Sequence, residues 1–318
     1  MSTSEQQNSD ALDLIRMVAP QRAVELENLV QKYTPSFLEA SDQPRFVMQA
    51  SLFGFVQYSN RTLLQVWLFG WVMWREMYCW STFLWLLANK NRPFVLSEFN
   101  AMPDQAESYI NADTMYSQAM SFAKSDPLDW TQWPSSVPKP LDIALHSKED
   151  WIIKDLVHHA IALFLLHELR HVMLHADGQT FSSQIDEEFE CDRWAAEYLI
   201  AASDAYAKSS GEDPILVKSK RAMGIALGTA VIAHIQEVGL WDAGVEHPPI
   251  AARIDRLTDI ADLPGNDYVW NVACSFLLAS LRRQGILPER VEFKDQRDLL
   301  RNLLLQPDVA AASSPSAA

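Results

Sequence analysis

The sequence predicts a mainly α protein, and three observations carry that expectation. Apolar residues recur at helical spacing through almost the whole chain, convincing period-two alternation is absent, and turn chemistry falls where the helical runs break. The runs cover roughly 11–32, 43–60, 62–89 and 104–124, then 148–176, 184–209, 214–239, 249–262, 267–284 and 293–305. Residues 1–10 and 309–318 read as frayed tails, the second as a disordered one.

Taken in order, the run over 62–89 is the most apolar. It reads TLLQVWLFGWVMW before Arg75-Glu76 interrupts it, and Trp67, Trp71 and Trp74 lie at helical spacing. Neither half reaches the roughly 18 apolar residues of a membrane span, and an ion pair would sit at the midpoint. A buried aromatic stripe explains the pattern, so contact with a membrane is not expected. Residues 125–147 hold Pro127, Pro134, Pro138 and Pro140 around Trp130 and Trp133, a composition hostile to helix. A boundary is placed there, between a Trp-rich helical N-terminal region (1–140) and a second unit (141–308). Ser147-x-x-Asp150 has the form of a capping box opening the 148–176 helix, and Gly178 follows its end. Asp213-Pro214 suits an N-cap and first helical position, and Pro264-Gly265 closes the 249–262 helix. Gly224-x-x-x-Gly228 suggests close helix packing. A short strand is conceivable only near Phe94–Leu96.

Composition narrows the function classes. The 318 residues are 48% hydrophobic, enough to bury a large core. A formal charge of −15 argues against a general binder of nucleic acid or of anionic membranes. Cys79, Cys191 and Cys274 are far apart, which excludes a disulfide framework and a cysteine zinc cage. The polar N-terminus lacks the basic and apolar segments of a signal peptide, so a cytoplasmic location is expected.

The chemistry is concentrated in His167-Glu168-Leu169-Arg170-His171, an H-E-x-x-H pentapeptide. On a helix, positions four apart differ by about 40° in azimuth, so His167 and His171 project from one face toward a common metal. Glu168 lies about 100° from His167, beside that pair, where a general base for water belongs. The preceding AIALFLL is apolar all round and therefore buried, and polar groups ending such a helix need partners. The competing reading is an ordinary helix with two satisfied histidines. Downstream, Glu187, Glu188 and Glu190 compete to be the third ligand. Glu188 is favoured because Asp192, four residues on, shares its face and can fix a histidine tautomer, whereas Glu190 points about 200° away. A solvated acidic helix start is the alternative for this run. Two histidines and a carboxylate make a zinc site with one open position. Zn2+ is thus the expected cofactor, and a zinc-activated water with Glu168 as general base is the expected hydrolytic machinery.

HELRH followed by EFECDRWAAEYL resembles the gluzincin peptidases, whose pattern is H-E-x-x-H and then E-x-x-x-D. His247-Pro248 through Leu257 resembles the H-P-x-x-x-x-R-I-x-x-L segment of the HtpX-like and CAAX-protease-like branch. The size and the single central motif also resemble the phage-exclusion Lit-type peptidases. The resemblance implies a multi-helix zincin-type catalytic core. It implies His167, His171 and Glu188 as metal ligands, Glu168 as base, Asp192 as support for a ligand, and His247 beside the metal or the oxyanion. It further implies a protein substrate, elongation factor Tu in the Lit-type family, and a phage-defence role. Besides His247, Tyr198 and Arg253 are candidate oxyanion donors. His175 reads as a helix-end residue, His158 and His159 lie off the ligand face, and His234 reads as a core residue. The rivals are a membrane-associated quality-control metalloprotease and a non-catalytic zinc-binding regulatory module.

Overall fold

The computed structural model describes residues 3–40, 46–140, 147–235 and 248–305. Helices α1 (Thr3–Val18) and α2 (Ala23–Tyr33) lead into strands β1 (Ser36–Glu39), β2 (Met48–Ala50) and β3 (Phe55–Tyr58). The long α3 (Asn60–Asn89) follows, then β4 (Phe94–Val95), α4 (Leu96–Asn100) and α5 (Gln105–Lys124). After the proline-rich segment come α6 (Lys148–Ala176), α7 (Gln184–Ile200), α8 (Ser203–Ser210) and α9 (Pro214–Ile235). The chain closes with α10 (Ile250–Ala261), α11 (Tyr268–Gln284), β5 (Arg290–Val291) and α12 (Gln296–Leu304). The fold is mainly α, as the helical periodicity predicts.

The helix expected over 11–32 is interrupted at residues 19–22, between α1 and α2, and three further elements depart from the sequence expectations. The helix expected over 43–60 is instead part of a three-stranded sheet of order β1-β3-β2, parallel between β1 and β3 and antiparallel between β2 and β3. Val56 and Tyr58 are buried while Phe55 and Gln57 are less so, a period-two pattern too short to stand out in the sequence. Gly54 at φ +83° turns β2 into β3, a conformation a helix would not contain. Second, the 184–209 run breaks at Ala201–Ala202, where Ala202 is left-handed. Side chains from distant segments take the carbonyls at the end of α7, Arg22 bonding Tyr198 O at 2.9 Å and Arg221 bonding Leu199 O at 2.9 Å. Third, α1 begins at Thr3, within the expected frayed tail. The strand near Phe94 is present, and it pairs antiparallel with β5.

Helix α6 runs through the centre. Its Ser147–Asp150 capping box is formed in both directions, and Ala160 through Leu166 are all buried. Helix α9 approaches it closely: a Cβ on Gly224 would lie 2.3 Å from His159 Cβ. Gly70 of α3 meets Val157 in the same way, at 2.5 Å. Trp67, Trp71 and Trp74 are buried as the aromatic stripe required. The core they join runs from α1 to α12 and includes residues on either side of the proline-rich segment. That segment is pinned at Trp67, whose indole donates to Pro138 O at 2.7 Å. Among the described residues, no helix is long and apolar enough to cross a membrane.

Candidate metal centre

The last turns of α6 and the first half of α7 face one cleft of about 730 Å³. His167 Nε2 and His171 Nε2 stand 3.2 Å apart. Glu188 reaches both, Oε2 at 3.4 Å from His167 Nε2 and Oε1 at 3.3 Å from His171 Nε2. The outer nitrogens are committed elsewhere: His167 Nδ1 meets Asp192 Oδ1 at 2.9 Å, and His171 Nδ1 meets Glu187 Oε1 at 2.7 Å. An ionised carboxylate only accepts, so each Nδ1 carries the proton and donates it. Both Nε2 lone pairs then point at each other and at Glu188, three acceptors with no donor among them. Such a buried cluster needs a cation or extra protons between its members. The ligand atoms of His167, His171 and Glu188 all lie within 4.8 Å of one another, which fits a divalent metal.

The electrostatics point the same way. Burial opposes charge on His167, but the hydrogen bonds it donates to Asp192 and Glu188 outweigh it and push the imidazole up to about 10. His171 is also raised, with burial opposed chiefly by Glu188. Protons thus occupy the place a cation would take. Asp192 is held below the usual carboxylate range; burial works against this, and Arg253 and His167 prevail. Arg253, on α10, donates to Asp192 Oδ2 at 2.7 Å and Oδ1 at 3.0 Å, and to Glu188 Oε2 at 3.2 Å. It clamps two carboxylates and lines the same cleft.

Glu168 faces the cleft beside the cluster, and burial raises its carboxyl above the ordinary range. Its Oε2 accepts the backbone N–H of Ala50 in β2 at 2.6 Å. Nothing in the sequence signalled Ala50, because the contact spans 118 positions. Glu187 was weighed in the sequence only as a rival ligand; here it bonds His171 and also lies 3.3 Å from His175 Nε2. Its signal was its place beside Glu188. Glu190 turns away to Arg170, 2.6 Å distant, and Arg193. Tyr198 is buried, donates to Arg22 O at 3.2 Å and does not line the cleft, so it is withdrawn as an oxyanion donor. His247 lies outside the described residues, as does the side chain of His234. His159 packs under Gly224 with Nδ1 2.7 Å from Asp155 O, and the His158 ring lies tilted against Trp67, both off the cleft.

Fold and site together define a helical protein with a buried histidine–glutamate cluster beside a second buried carboxylate, that of Glu168. The chain belongs to the Peptidase U49 family, whose model matches residues 56–273. That span runs from β3 into α11 and contains every side chain of the cluster. The cell death peptidase of Escherichia coli K12 is similar, 28% identical over 150 residues, which are 47% of this chain and 47% of that relative. The chain therefore matches about half the length of this curated relative. No solved structure matches.

Proposed function

We propose that this protein is a zinc-dependent endopeptidase with His167, His171 and Glu188 as the metal ligands and Glu168 as the general base. The observation that carries the reading is the convergence of both Nε2 atoms and the Glu188 carboxylate, all buried and within 4.8 Å of one another. Zinc, when bound, supplies a Lewis acid that polarises the scissile carbonyl and acidifies water. The rest is the work of the chain. Asp192 and Glu187 fix the imidazole tautomers so that both Nε2 atoms face inward. Arg253 holds Asp192 and Glu188 in register. Glu168, kept basic enough by burial yet oriented by Ala50 N–H, takes the proton of the attacking water and passes it to the leaving amine.

An extended peptide suits the cleft. Strand β2 is an edge strand, it borders the cleft, and no charged residue occurs from Phe46 to Tyr58. Natural edges are usually guarded by charge or proline, and an unguarded one favours pairing with another chain. A structural zinc module would call for four protein donors, and three converge among the described residues. Family membership and the name of the similar cell death peptidase support a protease. The Lit-type resemblance supports a phage-defence role in the cytoplasm, with elongation factor Tu as the candidate substrate. The test compares new protein termini in cells producing the wild type or Glu168→Gln. We expect termini only with the wild type, while Glu168→Gln retains its zinc and loses about 10²–10⁴-fold in rate. Identical termini from both proteins would remove Glu168 from the chemistry.

A further inference from the structure

Resting on the metallopeptidase reading, we propose that the hairpin tip Leu52–Phe53 is an exosite that grips an apolar side chain of the protein substrate outside the scissile segment. Leu52 is 78% and Phe53 89% exposed, yet the turn that carries them is built rather than frayed. Ser51 N donates to Phe55 O at 2.8 Å, Gly54 N to Ser51 O at 3.1 Å, and Phe53 N to Ser51 Oγ at 3.0 Å. The Phe53 ring also stacks on Phe55, with centroids 6.5 Å apart and planes at 15°. Two large apolar side chains are thus held in water by a defined backbone, which lowers the entropic cost of binding.

Their position selects the occupant. The tip continues β2, whose residues Met48, Gln49 and Ala50 line the cleft and whose Ala50 N–H touches Glu168. Phe53 follows Ala50 by three residues, at most about 10 Å away because the chain turns between them. A polypeptide lying along β2 to reach Glu168 therefore passes the tip. A lipid surface is the poorer partner: residues 46–58 include no lysine or arginine to meet phosphates, and the whole chain carries −15.

The test uses the zinc-loaded full chain, with labelled β-casein as an unfolded protein probe and Glu168→Gln to prevent its cleavage. Casein affinity is read by fluorescence anisotropy, with and without Leu52→Ser plus Phe53→Ser. A dipeptide hydroxamate, measured with Glu168 intact, reports the cleft itself. We expect the double substitution to weaken casein binding by about tenfold, the hydroxamate to bind as before, and Phe53→Leu to restore most of the loss. Equal casein binding with and without the tip side chains overturns the exosite and leaves the metallopeptidase reading standing. A parent protein that binds neither zinc nor hydroxamate overturns that reading and the exosite with it. Sedimentation with phosphatidylcholine vesicles that depends on Leu52 and Phe53, at unchanged casein affinity, overturns the exosite in favour of a membrane anchor.

Discussion

Each imidazole of the cluster is defined by what its far nitrogen does. Because Asp192 and Glu187 take the Nδ1 protons, His167 and His171 present lone pairs to a shared point, and Glu188 completes the set. Asp192→Ala and Glu187→Ala are each expected to weaken zinc binding by about 10–100-fold, measured by competition with a chromophoric chelator. Loss in one variant only would assign the orientation to a single carboxylate. The metal-free protein should also be pH-sensitive. His167 sits at about 10 in the fold, against roughly 6.5 when unfolded. Stability from that proton is present in full below the unfolded value and is lost as pH rises through the folded one. Metal-free protein should therefore melt on the order of 5 °C lower at pH 10 than at pH 7, and zinc-loaded protein should show less of this fall. Most of these residues were legible in the sequence, since i,i+4 spacing on a helix fixes which side chains share a face. Glu190 and Tyr198 show the limit. Spacing cannot reveal that Arg170 and Arg193 hold the first, or that Arg22 holds the second.

Elements bring those residues together, and here the sequence was less informative. Helix α6 was readable to its end residues because capping chemistry is local. The β1–β3 sheet was not, because strands of three or four residues leave little periodicity and β1 pairs with β3 across the chain. That sheet nevertheless places Ala50 against Glu168. Ala50→Pro deletes the donor N–H at a strand edge that lacks a β partner on that side. A hydrogen bond to a charged group contributes about 1.5–3 kcal/mol, so kcat should drop by roughly 10–100-fold while zinc content holds. An unchanged kcat would mean that β2 does not orient the base. The break between α7 and α8 follows the same rule: it is set by Arg22 and Arg221, which arrive from far along the chain.

At the scale of the whole molecule, α6 joins the Trp-rich α3 to the later helices, so the cluster sits at the end of a largely buried helix in a shared core. Burial there makes three converging acceptors costly without a cation, and the family match covers the same body of the fold. Metal analysis of the purified chain and its variants tests this most directly. One zinc per chain is expected in the wild type, in Glu168→Gln and in Glu190→Ala, with zinc lost from His167→Ala, His171→Ala and Glu188→Ala. A wild type without zinc, or a Glu188→Ala protein that keeps a full complement, would contradict it.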